Sequence, residues 1–581
     1  MATIVVNSGG NLQAALNSAV GGDTILLDAS ATYQGAFSLP IHSGASYVDI
    51  TTNTTIPAAG VRVSPASAAT FAKLQPPVGG SPSIATVAGA NYWRFIGIEF
   101  LPTPSSLNDI IALGDGSSAQ TSLSQVPEFL VLDRCYIHGD ATNGQKRGIS
   151  LNCGTAEIKN CYISNIKRVG QDTQAICGWN GPGPWLIDNN YLEAAGENFL
   201  VGGATINIPN MIPSNITFTN NTVYKPLAWR GQGYTIKNLL ELKTGDTVDI
   251  KNNSFENCWG GEGQSGYGIV FTVRNEEGSN NWATIKNVTF SNNTLKKCGN
   301  GIQVLGKDDR SGITSVEMNG LIISDNVLSE INGSTYTGNG WAIVLNNGGN
   351  GIAITHNDLL NVQLTQGVSI YLLNSRQFTN LNISNNFIMQ NGLGVYGDQQ
   401  QAQGTPTLNL QAVGYQFVNN VLVGIQTGTY PATSMFVSGL SSVGFTDLAG
   451  GNYTLVAGST YADAASDTGP IGSRNLGVFG GVAIGYPTLS AAGTVSVTST
   501  AAVAIGYPTL SSVGTITPPV VVAPDVGGLG GVILGPPTVD AVGTPQYVQS
   551  GTGGIVVLVP TVSGNVQQGS KRRPRKKVTN G

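Results

Sequence analysis

Charged side chains are scarce in this sequence, and histidine is scarcer still. Asp, Glu, Lys and Arg make up only 10% of the 581 residues, while glycine occurs 78 times. This composition is typical of a neutral, turn-rich β protein and argues against a heavily charged enzyme cleft. The three histidines, His42, His138 and His356, lie far apart in the repeat described below, so we expect no zinc site.

Cysteine and long apolar runs are also sparse. No run approaches the roughly 18 apolar residues of a membrane-spanning helix, so we expect no membrane span. The cysteines occur mostly in apolar strand-like segments, where we expect buried free thiols compatible with a reducing compartment. There are six of them, Cys135, Cys153, Cys161, Cys177, Cys258 and Cys298.

One short phrase occurs ten times between residues 131 and 422. It consists of an alternating apolar strand, a polar step centred on Asn, and a further apolar residue, as in VLDRCYI, LIDNNYL and VTFSNNTL. Successive copies lie 26 to 40 residues apart, which is too long for a hairpin and too irregular for a helical solenoid. The last residue of each step is Cys135, Cys161, Asn190, Asn221, Asn253, Asn293, Asn326, Asn357, Asn386 or Asn420.

The alternation within each phrase predicts a β-strand, so each repeat predicts one coil of a β solenoid. Stacked coils place equivalent residues about 4.8 Å apart, which predicts an Asn ladder at one bend. Asn suits this bend because its amide bonds to its own turn and to the next coil, and because it tolerates left-handed backbone angles. Cys135 and Cys161 fill the same column, and stacked positions fit disulfide geometry poorly.

These features resemble right-handed parallel β-helix proteins of the pectin-lyase-like kind, over roughly residues 1–450. In that family a short helix caps the N-terminal end of the coil, and Leu12 and Leu16 lie in a matching amphipathic segment. The stretch 131–290 also resembles a group of uncharacterised bacterial and phage-encoded β-helix proteins. The residues that carry this likeness are QDTQAICGWNGPGPW, NNYLEAAGENFLVGGA, KPLAWR, KNLLELK and FTVRNEEG. The resemblance implies an all-β parallel β-helix but no activity.

The chain divides into four predicted regions. An N-terminal cap with the first coils spans residues 1–50, and the β-helix spans 51–450. Gly-, Pro- and Val-rich β repeats span 451–567, with Pro487, Pro508, Pro537 and Pro560 in register. A basic tail spans 568–581 and carries six positive charges within seven residues.

The two C-terminal regions predict contacts with partners. Each apolar repeat is too small for a core of its own, so we expect it to pack on the β-helix, on sibling copies or on a larger particle. Trimeric phage spikes have a similar layout, which implies a homo-oligomer, with three copies as the expected number. The basic tail is either solvated or in contact with nucleic acid, an anionic lipid or an acidic partner.

A first candidate surface is the column three residues after the ladder. Its members should point outward beside the bend and form a strip able to hold an extended polysaccharide, although outward residues of any solenoid tend to be polar. They are His138, Ser164, Glu193, Tyr224, Glu256, Lys296, Ser329, Leu360, Met389 and Val423.

The densest group of charged residues comes from the third to fifth coils. Glycoside hydrolysis needs two carboxylates, for which we select Glu193 and Glu241. A lyase instead needs a basic group such as Lys237 or Arg274, commonly with calcium. Binding residues are expected among the neighbouring polar and tryptophan side chains, since flat rings contact sugars. The alternative is that Glu and Lys this close simply pair with each other. The candidates are His138, Trp179, Glu197, Lys225, Trp229, Arg230, Lys243, Glu256, Trp259 and Gln264.

We expect no cofactor and no metal ion. Asp140 and Asp172 are potential calcium ligands, but no run of alternating Asp and Asn supports such a site. The adjacent Asp308 and Asp309 resemble a polygalacturonase feature without the other motifs of that family, so GKDDRSG is interpreted as a loop.

The sequence favours a structural protein of a phage particle, a spike, fibre or surface appendage, whose β-helix binds a glycan. The N-terminus, MATIVVNSGG, does not resemble a secretory signal, which favours assembly in a host cytoplasm and a place in the virion. The first alternative is an extracellular polysaccharide lyase or glycoside hydrolase acting as a monomer. The second alternative is a bacterial surface adhesin. Whether the protein is an enzyme is left open at this point.

Overall fold

A computed structural model describes residues 1–474, apart from short gaps, and one pair of strands further on. The gaps are 78–79, 104–107, 311, 362–366, 374–375, 399–402 and 425–427, and the later strands are Ile533–Leu534 and Val556–Val557, which pair in parallel. The chain forms two compact units, Met1–Gly477 and Val478–Gly581. The predicted C-terminal repeats, apart from these strands, and the basic tail lie outside the described residues.

The first unit is a right-handed parallel β-helix, as the repeat predicts. Each coil contributes one strand in turn to a first, a second and a third sheet, and all pairing within these sheets is parallel. The first sheet consists of Thr3–Val6, Thr24–Leu27, Val48–Thr52, Asn91–Ile96, Glu128–Asp133, Ala156–Lys159, Trp185–Asp188, Ser214–Thr219, Gly245–Lys251, Ile285–Ser291, Asn319–Ser324, Ala353–Thr355, Asn382–Ser384 and Gln416–Val418.

The other two sheets follow the same coils. The second sheet consists of Thr32–Gln34, Ala72–Gln75, Ile98–Phe100, Tyr136–His138, Tyr162–Ile166, Tyr191–Ala194, Thr222–Tyr224, Ser254–Cys258, Thr294–Cys298, Val327–Ile331, Asp358–Leu360, Phe387–Met389, Val421–Val423 and Met435–Val437. The third consists of Phe37–Leu39, Ile84–Thr86, Asp109–Gly114, Arg147–Asn152, Gln174–Gly178, Glu197–Val201, Leu240–Leu242, Tyr267–Thr272, Asn300–Leu305, Ile343–Asn346, Ile370–Leu373 and Val395–Gly397.

A few elements lie outside these sheets. Phe378–Thr379 pairs in parallel with Ala412–Val413, and Phe445–Asp447 pairs antiparallel with Asn452–Leu455. The α-helices are Leu12–Ser18, Gly333–Tyr336 and Thr405–Gln411, and the 3₁₀-helices are Ser67–Thr70, Leu123–Gln125, Leu227–Trp229, Glu276–Gly278 and Leu440–Ser442. Across the described ranges, no helix is long and apolar enough to span a membrane.

The N-terminal helix Leu12–Ser18 buries one face. Asn11 caps it by accepting a hydrogen bond from the Ala14 amide at 3.0 Å. Leu12 and Leu16 are almost fully buried in the β-helix core. The helix is therefore where the sequence pattern places it, and its capping role stays a prediction.

The bend between the first and second sheets contains the Asn ladder. The Asn221 backbone N–H and side-chain amide both donate to Asn253 Oδ1, at 2.8 and 3.1 Å, and the same amide donates to the Ile187 carbonyl at 2.9 Å. These contacts recur from Asn190 to Asn420. The column is buried, so each amide satisfies backbone groups that no water reaches. The predicted ladder is confirmed.

The cysteine pair in this column is free rather than bridged. The Cys161 N–H donates to Asn190 Oδ1 at 2.9 Å, and the Cys135 N–H contacts Cys161 Sγ at 3.4 Å. All six cysteines are buried free thiols. The column therefore continues on the N-terminal side of Asn190, the first Asn of the ladder, with sulfur as the acceptor.

One detail of the ladder prediction is wrong. The left-handed backbone belongs to the residue before each ladder position, with φ between 51° and 60°, and the ladder Asn itself has negative φ. The tight turn needs one left-handed residue, and its side chain then points out to the surface. We call these residues the bend row: Arg134, Asn160, Asn189, Asn220, Asn252, Asn292, Asp325, His356, Asn385 and Asn419.

Two segments of the chain itself cover parts of the bend row. Residues 57–63 lie over its N-terminal half, where Arg62 donates to the carbonyls of Asn189 and Asn220, each at 2.9 Å. Residues 464–474, which we call the strap, lie over its C-terminal half. The strap contacts are Asn419 with Ala464 at 2.9 Å, Asn385 with Ser466 at 2.9 Å, His356 with Asp467 at 3.1 Å and Asp325 with Arg474 at 2.7 Å.

Candidate functional site

The predicted strip lies on the outer face of the second sheet, and much of it is covered. His138 stands opposite Ser164, a β-bulge shifts the register before Glu193, and the expected register then holds from Glu193 opposite Tyr224 to Met389 opposite Val423. At the C-terminal end, Val423 is buried together with Phe387, under Val443, Tyr461 and Ile471. The three apolar residues that end the strip, Leu360, Met389 and Val423, are apolar because the chain folds back over this end.

The polar part of the strip is engaged in local pairs. His138 stacks on Tyr136 at 4.3 Å and contacts Glu99 at 3.2 Å. Glu256 pairs with Lys296 at 3.2 Å and Lys297 at 2.7 Å. The strip therefore offers fewer free groups than its sequence suggests.

The proposed carboxylate pair of Glu193 and Glu241 is not formed. Glu193 lies on the second sheet and accepts from the Asn165 N–H and the Tyr191 hydroxyl, each at 2.9 Å, while burial raises its pKa. Glu241 lies on the third sheet, around the next bend of the coil. The two carboxyls therefore lie on different sheets, an arrangement that does not favour the pair as a hydrolytic acid and base.

Lys225 is also misplaced as a binding residue, because its side chain is fully buried. Its ammonium group donates to the carbonyls of Ala194 and Gly196 and to Asn198 Oδ1. These three acceptors use all three N–H groups, and burial lowers the pKa of Lys225 to about 8. Lys225 therefore holds the bend between the second and third sheets together.

Other predicted binding residues lie in loops at this same bend. Trp229 and Trp259 are buried in one aromatic cluster with Tyr336, so neither ring is open to a sugar. Arg230 is exposed and donates to the Thr335 carbonyl at 2.9 Å, and Gln264 is exposed in the next loop. These loops form one wall beside the outer face of the third sheet.

The outer face of the third sheet brings together the remaining candidates. Glu197 is fully buried and Glu241 is 8% exposed, although both are carboxyl groups. They lie within hydrogen-bonding reach of each other, and burial raises the pKa of Glu241 against the opposing charges of Lys243, Lys237 and Arg274. Burial thus favours the neutral form of the Glu241 carboxyl, while the neighbouring positive charges favour its charged form.

Lys237 bridges the acidic side of this group. Its ammonium lies 2.6 Å from Asp172 Oδ2 and 3.2 Å from Glu197 Oε1. Burial opposes the charged form, but the two carboxylates outweigh it and raise the pKa of Lys237. Lys237 is thus held protonated, which makes it a poor proton acceptor.

Lys243 and Arg274 are the open positive charges of the group. Within the described residues, the Lys243 ammonium has no hydrogen-bond acceptor or ion-pair partner, and it lies beside Gly203, which has no side chain to cover it. Arg274 has one distant partner, Asp308, at 3.8 Å. We call Asp172, Glu197, Lys237, Glu241, Lys243 and Arg274 the acid–base cluster.

The cluster continues in both directions along the sheet. Towards the N-terminus, Arg147 donates to Gln174 at 3.0 Å and pairs with Asp109 at 3.1 Å, and its guanidinium lies over the half-exposed Trp179 ring at 5.4 Å. Towards the C-terminus, Arg274 opens into a pocket of about 280 Å³. The pocket is lined by Arg274, Leu305, Lys307, Asp308, Asp309, Arg310, Asn346 and Asn347.

The described residues show no arrangement suited to a metal ion. No group of three or more His, Cys, Asp or Glu side chains in these ranges has the geometry of a metal site. Between Asp172 and Glu197, the place a cation would take is filled by the ammonium of Lys237. A calcium ion would have to displace this charge, so the residues present do not fit one.

The sequence pattern did not indicate Arg147 or Gln174 as site residues. It also placed Asp308, which lines the pocket, in a loop without a functional role. The signal that locates them is strand register, since Asp109, Arg147, Gln174 and Glu197 stand opposite one another on four consecutive strands. That register is not visible in the sequence, because the loops between these strands differ in length and carry no repeated phrase.

Comparisons with known proteins find likenesses only among solved structures. No family model and no curated protein sequence matches the chain. Among solved structures, a mannuronic-acid-specific polysaccharide family 6 lyase from human gut microbiota is similar at a TM-score of 0.42 and 11% identity, covering 75% of this chain and 82% of the other. A mutant tailspike of E. coli bacteriophage HK620, in complex with a pentasaccharide, has a TM-score of 0.34 and 13% identity, covering 73% and 63%.

A third similar structure is the complex of XylC with xylose, with a TM-score of 0.39 and 10% identity, covering 75% of this chain and 86% of the other. All three are parallel β-helix proteins. The three parallel sheets of the first unit define this chain as a parallel β-helix protein, and its charged third-sheet face is the feature from which a function has to be inferred.

Proposed function

We propose that the outer face of the third sheet binds an anionic polysaccharide. The observation that carries this proposal is the pair of open positive charges, Lys243 and Arg274, beside the buried carboxyls Glu197 and Glu241. An anionic sugar carboxylate supplies the partner that Lys243 lacks within the described residues, and a partly buried setting strengthens that contact relative to water. The face lies between loops of two bends, which suits an extended chain.

Binding of uronate polymers tests this proposal. Calorimetry with alginate and polygalacturonate oligosaccharides, and with neutral dextran as a comparison ligand, should show binding of a uronate only. Lys243→Gln and Arg274→Gln should each weaken it about tenfold or more, which corresponds to about 1.4 kcal/mol. Lys251→Gln, on the first sheet and paired with Asp249, is the matched control and should leave it unchanged.

Equal affinity of the Lys243→Gln variant and the wild type for a bound uronate would contradict the assignment to this face. Binding of dextran as tight as that of the uronates would contradict the role of charge.

We further propose that this glycan-binding protein serves as a spike, fibre or surface appendage of a phage particle. The sequence resemblance of residues 131–290 and the apolar C-terminal repeats support this setting. Light scattering on the intact chain and on one ending at Gly477, the end of the first compact unit, should show a trimer and a monomer respectively. Two monomers would count against a spike.

A second candidate function is cleavage of the same polysaccharide by β-elimination. In this reaction a base removes the proton next to a uronate carboxylate, the bond to the leaving glycosidic oxygen breaks, and that oxygen takes up a proton. In this second function Lys243 would act as the base in its neutral form, because no ion pair within the described residues holds it protonated as Asp172 and Glu197 hold Lys237, and Arg274 would then bind the sugar carboxylate. Arg274 would stabilise the charge that develops on the carboxylate.

The product of elimination contains a carbon–carbon double bond that absorbs ultraviolet light. Incubation with uronate polymers should give rising absorbance that Lys243→Gln abolishes and Lys251→Gln does not. Binding without any rise in absorbance would identify a binding protein without lyase activity.

A further inference from the structure

The acid–base cluster passes directly into an aromatic patch on later coils. Glu241 stands opposite Val270, and the column continues through Gln303 and Val344 to Tyr371. The next strand adds Tyr396 opposite Tyr371, with ring centroids 6.0 Å apart. The floor of one groove thus changes from charged to aromatic along the solenoid axis.

The loops that form the wall beside this floor also become aromatic on the later coils. Trp341 comes from the loop before its strand and lies 4.8 Å from Tyr371, centroid to centroid. Trp341 and Tyr371 pack on one buried apolar cluster with Tyr267, Val270 and Val344, and both rings remain partly exposed. We call Tyr267, Trp341, Tyr371 and Tyr396 the aromatic patch.

The opposite side of the groove is polar at the same level. The 280 Å³ pocket at Arg274, Asp308 and Asn346 adjoins the strands Tyr267–Thr272, Asn300–Leu305 and Ile343–Asn346. A groove with aromatic rings on one side and directed polar groups on the other matches a pyranose ring, which has an apolar C–H face and a rim of hydroxyls.

We infer that the aromatic patch is a second subsite for the same polysaccharide and holds a pyranose ring by its C–H face. This inference rests on the proposed function of the acid–base cluster. Five coil steps separate Glu241 from Tyr396 in the paired column, which is about 24 Å along the axis. The ligand is therefore a long chain, and short fragments fill the charged end only.

Affinity as a function of oligosaccharide length tests the subsite. For the wild type, calorimetry with uronate oligosaccharides of increasing length should show a gain in affinity until the ligand spans the groove. Tyr371→Ala combined with Tyr396→Ala should lose at least fivefold for the longest ligand and nothing for the shortest. Tyr371→Phe keeps the aromatic ring and should keep the gain in affinity with ligand length. It is the conservative variant against which misfolding of the alanine variant is judged.

The matched control is Tyr47→Ala, since Tyr47 is a partly exposed tyrosine beside the first sheet and lies 5.7 Å from Tyr92, centroid to centroid. It should bind every ligand as the wild type does. Unchanged binding of the long ligand by the double alanine variant would overturn the second subsite while leaving the charged site intact. A wild type that binds no uronate of any length would overturn both.

Discussion

At the residue scale, each coil assigns two tasks to two consecutive positions at one bend. The ladder Asn satisfies buried backbone groups of its own and neighbouring coils, and the residue before it supplies the left-handed turn. Asn is common at both positions for different reasons, which is why the sequence reads NN so often. The recurring phrase in the sequence predicts the column of ladder residues. It does not show which of the two consecutive positions bonds the backbone and which supplies the left-handed turn.

These two tasks predict different mutational costs for adjacent residues. Asn293→Ala removes contacts to Asn253, Ile250 and Asn326, and leaves buried groups unpaired. We expect it to lower the free energy of unfolding by about 2–4 kcal/mol. Asn292→Gly keeps the left-handed turn and should change stability by less than about 0.5 kcal/mol. Urea unfolding measures both, and equal losses would contradict this division.

Lys225 predicts an unusual dependence of stability on pH. Its pKa is about 8 in the folded chain and 10.5 at its ordinary value, so between these values the unfolded chain binds the proton more tightly. The contribution of Lys225 to stability therefore rises with pH across this window, by up to about 3 kcal/mol.

The free energy of unfolding can be measured from pH 7.5 to 10.5 for the wild type and for Lys225→Met. The difference between the two pH curves gives the pH-dependent contribution of Lys225. The variant should also be less stable at pH 7.5, by about 2–4 kcal/mol, because three acceptors lose their donor. A difference between the curves that is constant with pH would show that Lys225 titrates normally.

The residues that sequence reasoning misassigned share one cause. Glu193, Lys225 and Glu241 are close in sequence order, but the bend after Ala194 sends them to different faces or into the interior. Proximity of charged residues along the chain therefore did not predict a site. The register between strands of successive coils locates the site, because it sets which residues stand opposite each other.

At the element scale, the strap closes the C-terminal part of the second sheet. Asp358 is fully buried beneath it and accepts hydrogen bonds from the N–H of Ser473, at 3.3 Å, and from its hydroxyl, at 2.5 Å. Burial raises the pKa of Asp358 to about 7. The ionisable groups along the same contact are Asp325, His356, Asp467 and Arg474.

The strap should therefore loosen as the pH rises towards and above 7. Because the folded pKa of Asp358 lies above its ordinary value of 3.8, its protonated form stabilises the fold fully below pH 4, and this contribution is lost as pH rises through 7. Amide hydrogen exchange of residues 464–474, corrected for intrinsic rates, should be slower at pH 5 than at pH 8.

Asp358→Asn should remove most of this dependence, because the amide stays neutral throughout. Ser473→Ala is a second comparison variant, because it removes one hydrogen-bond donor to Asp358 and leaves the titrating carboxyl in place. Equal protection at both pH values in the wild type would contradict a titrating contact beneath the strap.

At the scale of the whole molecule, the fold follows from the sequence far more directly than the site does. Alternating strands and the Asn column predict a parallel β-helix because every coil repeats them. Loop lengths do not repeat, so the sequence could not show that Glu197, Glu241 and Arg274 meet on one sheet, nor that Trp341 and Tyr371 continue the same groove.

A crystal structure of the protein soaked with a long uronate oligosaccharide would show directly whether a polysaccharide lies along the third sheet. We expect electron density for a sugar chain that runs parallel to the solenoid axis, with a carboxylate at Lys243 and Arg274 and a ring against Tyr371. Density on the second sheet beside Glu256, or crystals that stay free of sugar at saturating ligand with the groove open to solvent, would contradict it.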